Sequence, residues 1–253
     1  MKFTDGYWRM QKGIVPSYPI QVVEVETAPD ALTVIAATRP VTTRGNMLAQ
    51  PLLEIRFSAP LPNVIRVQTT HHKAALRKDP AFNLCDLPPF QPQLTITDEQ
   101  AILMSDRLSV RIPKSGPWKL TYCNDAEVVT ESGWRALGVL DTPAGRFLKE
   151  ELSLDVGECV YGLGERFTAF VKNGQSVNIW NRDGGTSSDH AYKNIPFYLT
   201  SRGYGVFVNH PEKVSFEVAC EKVERVQFSV AGDYLDYFLI YGPDPKEVVS
   251  RYT

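Results

Sequence analysis

Apolar and polar residues alternate along most of this chain, and β-branched residues fill the apolar positions. A period of two places one set of side chains on each face of an extended strand, so each run can bury one side and wet the other. Candidate strands fall at 20–26, 32–37, 52–58, 64–69, 93–97, 101–104, 108–112 and 118–123. They continue at 127–130, 148–154, 177–180, 197–200, 204–209, 214–218, 225–230 and 236–241. Turn pairs such as Asn173-Gly174, Asp183-Gly184 and Gly232-Asp233 separate many of them. A spacing of roughly 8–15 residues favours short antiparallel strands in a sandwich or barrel. Amphipathic stretches of helical length do not recur between the runs, which excludes a parallel α/β sheet. The expected fold is all-β, a large antiparallel β-sandwich, with a short C-terminal helix.

The chain has 253 residues, and one sandwich commonly fills roughly 200–250. Its 27 basic and 29 acidic side chains leave a formal charge of −2. That balance lacks the basic footprint of a nucleic-acid binder. The opening MKFTDGYWRM has no uninterrupted apolar core of the signal-peptide kind, and no run approaches the roughly 20 apolar residues of a membrane span. Cys85, Cys123, Cys159 and Cys220 lie far apart, as reduced buried thiols do. These features read together as a cytoplasmic protein with no membrane partner.

Two segments read as long loops. Residues 79–92 carry Pro80, Pro88, Pro89 and Pro92, and proline cannot serve a central strand. Residues 181–189 are rich in Gly, Asn, Asp and Ser, and long ordered loops on β scaffolds are frequent sites of function. At the end of the chain, Asp244 can cap a helix, Pro245 suits its first position and Glu247 its third. A helix of about two turns is marginal unless it docks. It either packs on the sandwich or leads into another domain, which divides the chain into a sandwich at 1–242 and the start of a linker helix at 243–253.

Several chemistries can be weighed from the residues. Tyr161-Gly162-Leu163-Gly164-Glu165-Arg166 contains a G-x-G, but Phe167 stands where a third glycine would be needed and no helical pattern follows. A dinucleotide site is excluded, and the glycines read as a tight turn or a close backbone approach. Glu165 and Arg166 either pair with each other or line a polar site. Trp180-Asn181-Arg182-Asp183-Gly184-Gly185-Thr186 is the densest mixture of polar and aromatic residues in the chain. Sugars are held by such a mixture, the polar groups on hydroxyls and the ring on C–H faces. The same residues also make an ordinary hairpin turning at Asp183-Gly184. Asp183 and Asp189 share this loop, but nothing in the sequence fixes them as the carboxylate pair that glycoside hydrolysis needs. His71, His72, His190 and His210 have no metal-ligand spacing, and adjacent side chains on a strand point to opposite faces. No metal or cofactor is expected.

The motifs YGLGERF, WNRDGGT, YKNIPF and GVFVNHP, taken in combination between Tyr161 and Pro211, closely resemble the N-terminal domain of glycoside hydrolase family 31. Within that family they look most like the bacterial α-xylosidases. The opening MKFTDGYWRM and the closing YGPDPKEVVSRYT resemble theirs too. The resemblance implies a galactose-mutarotase-like β-sandwich that precedes a (β/α)8 barrel holding both catalytic aspartates. This chain contains neither Asp-Phe nor Asp-Met, the pairs that mark the nucleophile strand in that family, so the resemblance implies that its catalytic residues lie in the barrel and none in this chain. In relatives a sandwich loop helps form the sugar subsite at the barrel mouth. By position in the motif, Asp183 is then the residue expected to touch sugar, with Arg182 and Trp180 beside it.

The implied function is the non-catalytic portion of an α-xylosidase-like enzyme. Its partners would be an α-xyloside or related oligosaccharide and the catalytic barrel. Exposed apolar surface left by the missing barrel would drive self-association into homo-oligomers. An alternative from another class is a free-standing carbohydrate-binding module. A sugar mutarotase is a third, using Glu165 or one of the histidines to move a proton at the anomeric oxygen.

Overall fold

In the computed structural model, which describes residues 1–6, 8–71, 90–182 and 188–253, alternation becomes strand almost everywhere it was expected. The chain opens with β1 (Thr4–Asp5), β2 (Arg9–Met10), β3 (Val15–Ser17), β4 (Gln21–Ala28) and β5 (Ala31–Ala37). After a single turn of helix, α1 (Arg44–Leu48), come β6 (Leu52–Leu61) and β7 (Val64–Thr70). The middle holds β8 (Gln93–Ile96), β9 (Gln100–Ser105), β10 (Leu108–Pro113), β11 (Leu120–Asn124) and β12 (Glu127–Ser132). It continues through β13 (Gly138–Thr142), β14 (Gly145–Ser153), β15 (Val160–Gly162) and β16 (Gln175–Ile179). The last strands are β17 (Phe197–Thr200), β18 (Tyr204–Val208), β19 (Val214–Val218), β20 (Arg225–Ala231) and β21 (Tyr234–Tyr241), followed by α2 (Pro245–Tyr252).

All sixteen candidate runs lie on strands, and β1, β2, β3, β13 and β15 are additional. Four of these five are two or three residues long, too short to show a period. The fifth, Gly138–Thr142, has a glycine at one end and Asp141-Thr142 at the other, which hides its apolar centre. Most of the proline-rich segment, with His72 and Cys85, lies outside the described residues.

Pairing among the described strands is antiparallel throughout. An eight-stranded sheet runs β15-β17-β18-β21-β7-β6-β5-β4. Facing it are a six-stranded sheet, β16-β19-β20-β14-β13-β3, and a five-stranded sheet, β12-β11-β10-β9-β8. Strand β12 lies beside β14, so the two smaller sheets act as one layer opposite the large one. Between the layers lies one continuous core. It takes Ile65 and Val67 from β7, Leu235, Tyr237 and Leu239 from β21, and Phe216 and Phe228 from β19 and β20.

Alternation sends the neighbours of these residues to the outer faces, and there the fold adds two covers. Residues of the N-terminal segment lie over the six-stranded sheet. The amino group of Met1 pairs with the buried Glu217 carboxylate at 2.8 Å, and Phe3 is wholly buried against Phe147. Beneath this cover Lys149 and Glu151, on the outward side of β14, are each only 1% exposed. Helix α2 covers one end of the eight-stranded sheet. Asp244 caps it as expected, Oδ1 accepting from the Lys246 and Glu247 amides at 2.8 and 3.0 Å. Its Val248 is buried with Phe197, Val64 and Ile240, and the Tyr252 ring stacks on Phe197 at 4.2 Å. A helix this short holds because it docks.

Candidate functional site

The four motifs are spread over about fifty residues of sequence, and the fold brings them to one end of the sandwich. Their meeting point begins with backbone conformation. Gly162, Leu163 and Gly164 all adopt left-handed φ, at 102°, 65° and 80°. This turn lays the chain flat against residues 193–198. The Leu163 amide donates to Phe197 O at 2.8 Å and the Glu165 amide to Lys193 O at 2.9 Å. A Cβ on Gly162 would approach Phe197 O to 2.8 Å, and one on Gly164 would run into Lys193 O. The glycines therefore serve close backbone approach, as the sequence suggests, and not a phosphate.

Arg166 then ties the segments together. Its Nη2 donates to Asn178 O at 2.7 Å on β16 and to Asn194 Oδ1 at 2.5 Å, and its Nε to Leu163 O at 3.3 Å. Asn194 passes the link on, its amide donating to Asn181 Oδ1 at 2.8 Å and to Ala191 O at 2.6 Å. One guanidinium thus fixes both stems of the loop that runs from Trp180 toward Asn194. Glu165 does not pair with Arg166. It pairs with Lys193 at 2.9 Å, across the same junction.

Two hollows flank this chain of hydrogen bonds. The larger is an open cleft of about 670 Å³ whose wall includes Glu165, Arg166, Lys172, His190 and Lys193. Phe167, Phe170 and Tyr192 also line it and are 84%, 78% and 70% exposed. The smaller, about 280 Å³, is lined by Trp180, Asn181, Asn194 and His210. Trp180 sits just past the end of β16 and is half exposed, and Arg182 is exposed beyond it. Asp183, with Gly184, Gly185 and Thr186, lies outside the described residues. Asp189 lies 3.6 Å from the His190 ring. His71 is remote from this end and meets Asp233 at 3.0 Å. Among the described residues no group of three or more His, Cys, Asp or Glu is placed to hold a metal.

Electrostatics divide the site. The larger cleft contains an internal ion pair, Glu165–Lys193, and two cations whose hydrogen bonds among the described residues go to neutral oxygens. Lys172 is 4% exposed and donates to Thr168 Oγ1 at 3.1 Å and Ala169 O at 2.8 Å. Burial lowers its ammonium pKa, and the nearby Arg166 charge lowers it further. Burial also lowers Arg166, with Asp189 opposing. Sequence reading picks out Trp180, Arg182 and Arg166 but misses Lys172, Tyr192 and Asn194. Lys172 stands beside an Asn-Gly turn signal and gives no sign of being buried.

Comparison with known proteins places these motifs in a wider context. Residues 54–217 match the family model described as the glycosyl hydrolase 31 N-terminal galactose mutarotase-like domain. An α-xylosidase, XylQ, of Lactiplantibacillus pentosus is 40% identical over the whole of this chain, which covers 33% of that protein. An α-xylosidase of Emericella nidulans is 38% identical, again over the whole chain and 35% of the relative. The chain thus spans about a third of the length of these relatives. Among solved structures, the cycloalternan-forming enzyme of Listeria monocytogenes in complex with a pentasaccharide substrate superposes with a TM-score of 0.77 at 18% identity. That match covers 95% of this chain and 22% of the other. A glycoside hydrolase 31 α-xylosidase from a soil metagenome, complexed with xylose, gives 0.69 at 17% identity over 91% of this chain and 34% of the other. At such identities these structures bear on the fold alone.

Proposed function

This chain belongs to the glycosyl hydrolase 31 N-terminal galactose mutarotase-like domains, and from that footing we propose that it is the sandwich portion of an α-xylosidase-type enzyme. In this reading it acts with a (β/α)8 barrel that carries both catalytic carboxylates, 1–242 being the sandwich and 243–253 the start of the connection. The loop after Trp180 is offered to the sugar pocket, with Asp183 as the sugar contact and Arg182 and Trp180 in support. The observation that carries the proposal is the junction itself. Arg166 and Asn194 pin both stems of that loop at the end where YGLGERF, YKNIPF and GVFVNHP also meet. A sugar contact needs fixed stems, because a substrate group misplaced by about 1 Å loses much of its binding advantage. The described residues contain no helix long and apolar enough to cross a membrane, and we carry the cytoplasmic location as part of the proposal.

The intact enzyme would hydrolyse a terminal α-xyloside with retention of configuration, through a covalent glycosyl-enzyme and two carboxylates, one as nucleophile and one as acid and then base. The 253-residue chain alone should then show no turnover of an aryl α-xyloside. Turnover that disappears with Asp183→Ala would overturn the reading. Calorimetry with xylose or a xyloglucan fragment addresses the alternative, a free-standing carbohydrate-binding module. Millimolar or tighter binding by the isolated chain would favour the module.

The exposed Phe167, Phe170 and Tyr192 form the kind of apolar surface that marks an interaction site. Sedimentation of the isolated chain at high concentration should show association. Replacing Phe167 and Phe170 by serine should shift it toward monomer. A sharp monomer peak for the unsubstituted chain would count against a covered face at this end.

A further inference from the structure

The larger cleft holds the buried ammonium of Lys172 and the half-buried guanidinium of Arg166. Among the described residues neither Arg166 nor Lys172 has a carboxylate within 4.0 Å, and the hydrogen bonds each makes there end on neutral oxygens. The carboxylate of Glu165 is committed to Lys193, and that of Asp189 lies beside His190 and favours the Arg166 charge only from beyond 4.0 Å. A charge withdrawn from water is costly unless an opposite charge or a full set of hydrogen bonds compensates it. Two like charges on one wall add repulsion, which is the direction in which Arg166 moves Lys172. Opposite them stands an apolar shelf of Phe167, Phe170 and Tyr192, which a ligand face can cover.

We propose that this cleft is a binding site for one carboxylate carried on a flat apolar face, with Arg166 and Lys172 supplying the charge and Phe167, Phe170 and Tyr192 the shelf. Two sources offer that chemistry: a sugar acid, whose ring C–H face stacks on aromatic side chains, and an arylacetic acid, the small-molecule form of an acidic group beside an aromatic one. The site adjoins the loop from Trp180 toward Asn194, which lends it Tyr192, and the proposal does not require Asp183, Arg182 or Trp180 to touch sugar.

The test is titration of the 253-residue chain, followed by calorimetry and by amide chemical shifts. The probes are D-glucuronate and phenylacetate, each against its neutral counterpart, D-glucose or phenylacetamide. At least one acid should bind saturably, about tenfold or more tighter than its counterpart, since charge-assisted hydrogen bonds are about twice as strong as neutral ones. Rising salt should weaken it. Glucuronate binding identifies a sugar acid, and phenylacetate alone identifies the aromatic acid. Lys172→Gln keeps hydrogen-bonding capacity without the charge and should abolish the preference for the acid. Should that variant not fold, the shift map decides, with changes expected at the amides of residues 166–172 and 190–193. Failure of both acids, equal binding of the neutral compounds, unchanged preference in Lys172→Gln, or shifts confined elsewhere would each overturn the site. Binding that appears only after Asp183→Asn would place the counter-charge within this chain and overturn it as well.

Discussion

Raising the pH from 5 to 8 should weaken this protein, and Glu150→Gln should remove most of that loss. Glu150 is wholly buried on the inward side of β14. Burial pushes its carboxyl up to about 7 from the ordinary 4.5, against hydrogen bonds to Oε1 from the Ser132 hydroxyl at 2.7 Å and the Glu151 amide at 2.9 Å. The Glu151 charge adds to the rise and the Lys149 charge opposes it. Tyr237 and Tyr122, whose hydroxyls lie 2.7 Å apart, complete the pocket, and burial raises both phenols far above their usual range. Between pH 4.5 and 7 the folded state therefore holds a proton that the unfolded state has released. Stability falls with pH through that window and levels above it, by at most about 3 kcal/mol for a rise of this size. Glutamine retains the oxygen and cannot ionise, so the variant should gain on the wild type from pH 5 to 8. Urea unfolding of both proteins at four pH values measures the difference. Parallel curves would mean that Glu150 is ionised in the folded protein throughout.

The next residue on the same strand points the other way and gives the second large effect. Glu151 faces the N-terminal cover, where it pairs with Lys149, with Lys222 at 2.8 Å and with Arg225 at 3.6 Å. Lys149 is wholly enclosed, and burial lowers its ammonium pKa while Glu151 raises it. Removing the acid leaves three cations around one buried space. Glu151→Ala should cost about 3–5 kcal/mol, the usual penalty for breaking a buried pair from one side. Lys149→Met should cost less, because Glu151 keeps Lys222 and Arg225. Equal losses from the two substitutions, in unfolding curves with unchanged denaturant slope, would show that packing and not charge dominates this cover.

These two neighbours illustrate what sequence could and could not reveal. The alternation Leu148-Lys149-Glu150-Glu151-Leu152 marks a strand. It does not show that both of its faces are buried, because the residues covering Lys149 and Glu151 come from the far N-terminus and from Lys222 and Arg225. Strand existence was legible because a period of two is a local property. Pairing was not, since β7 meets β21 across some 170 residues with no trace in composition. The site divides in the same way. WNRDGGT and YGLGERF stand out as local clusters of aromatic, polar and glycine residues. Their junction depends on Arg166 reaching Asn178 and Asn194, 12 and 28 residues onward, and no spacing rule announces such a reach. The Asp244 cap was readable because its partners lie two and three residues away.

The place of β21 also governs the order in which the molecule can be completed during synthesis. This strand joins β7 on one side, with Tyr237 opposite Val67, and β18 on the other, with Tyr237 opposite Val208. Until it leaves the ribosome, the eight-stranded sheet is two separate pieces with open edges, β4-β5-β6-β7 and β15-β17-β18. Exposed edges invite pairing with other chains, and contacts this distant in sequence form slowly. The nascent chain thus carries this aggregation hazard until β21 emerges, and that single strand removes it.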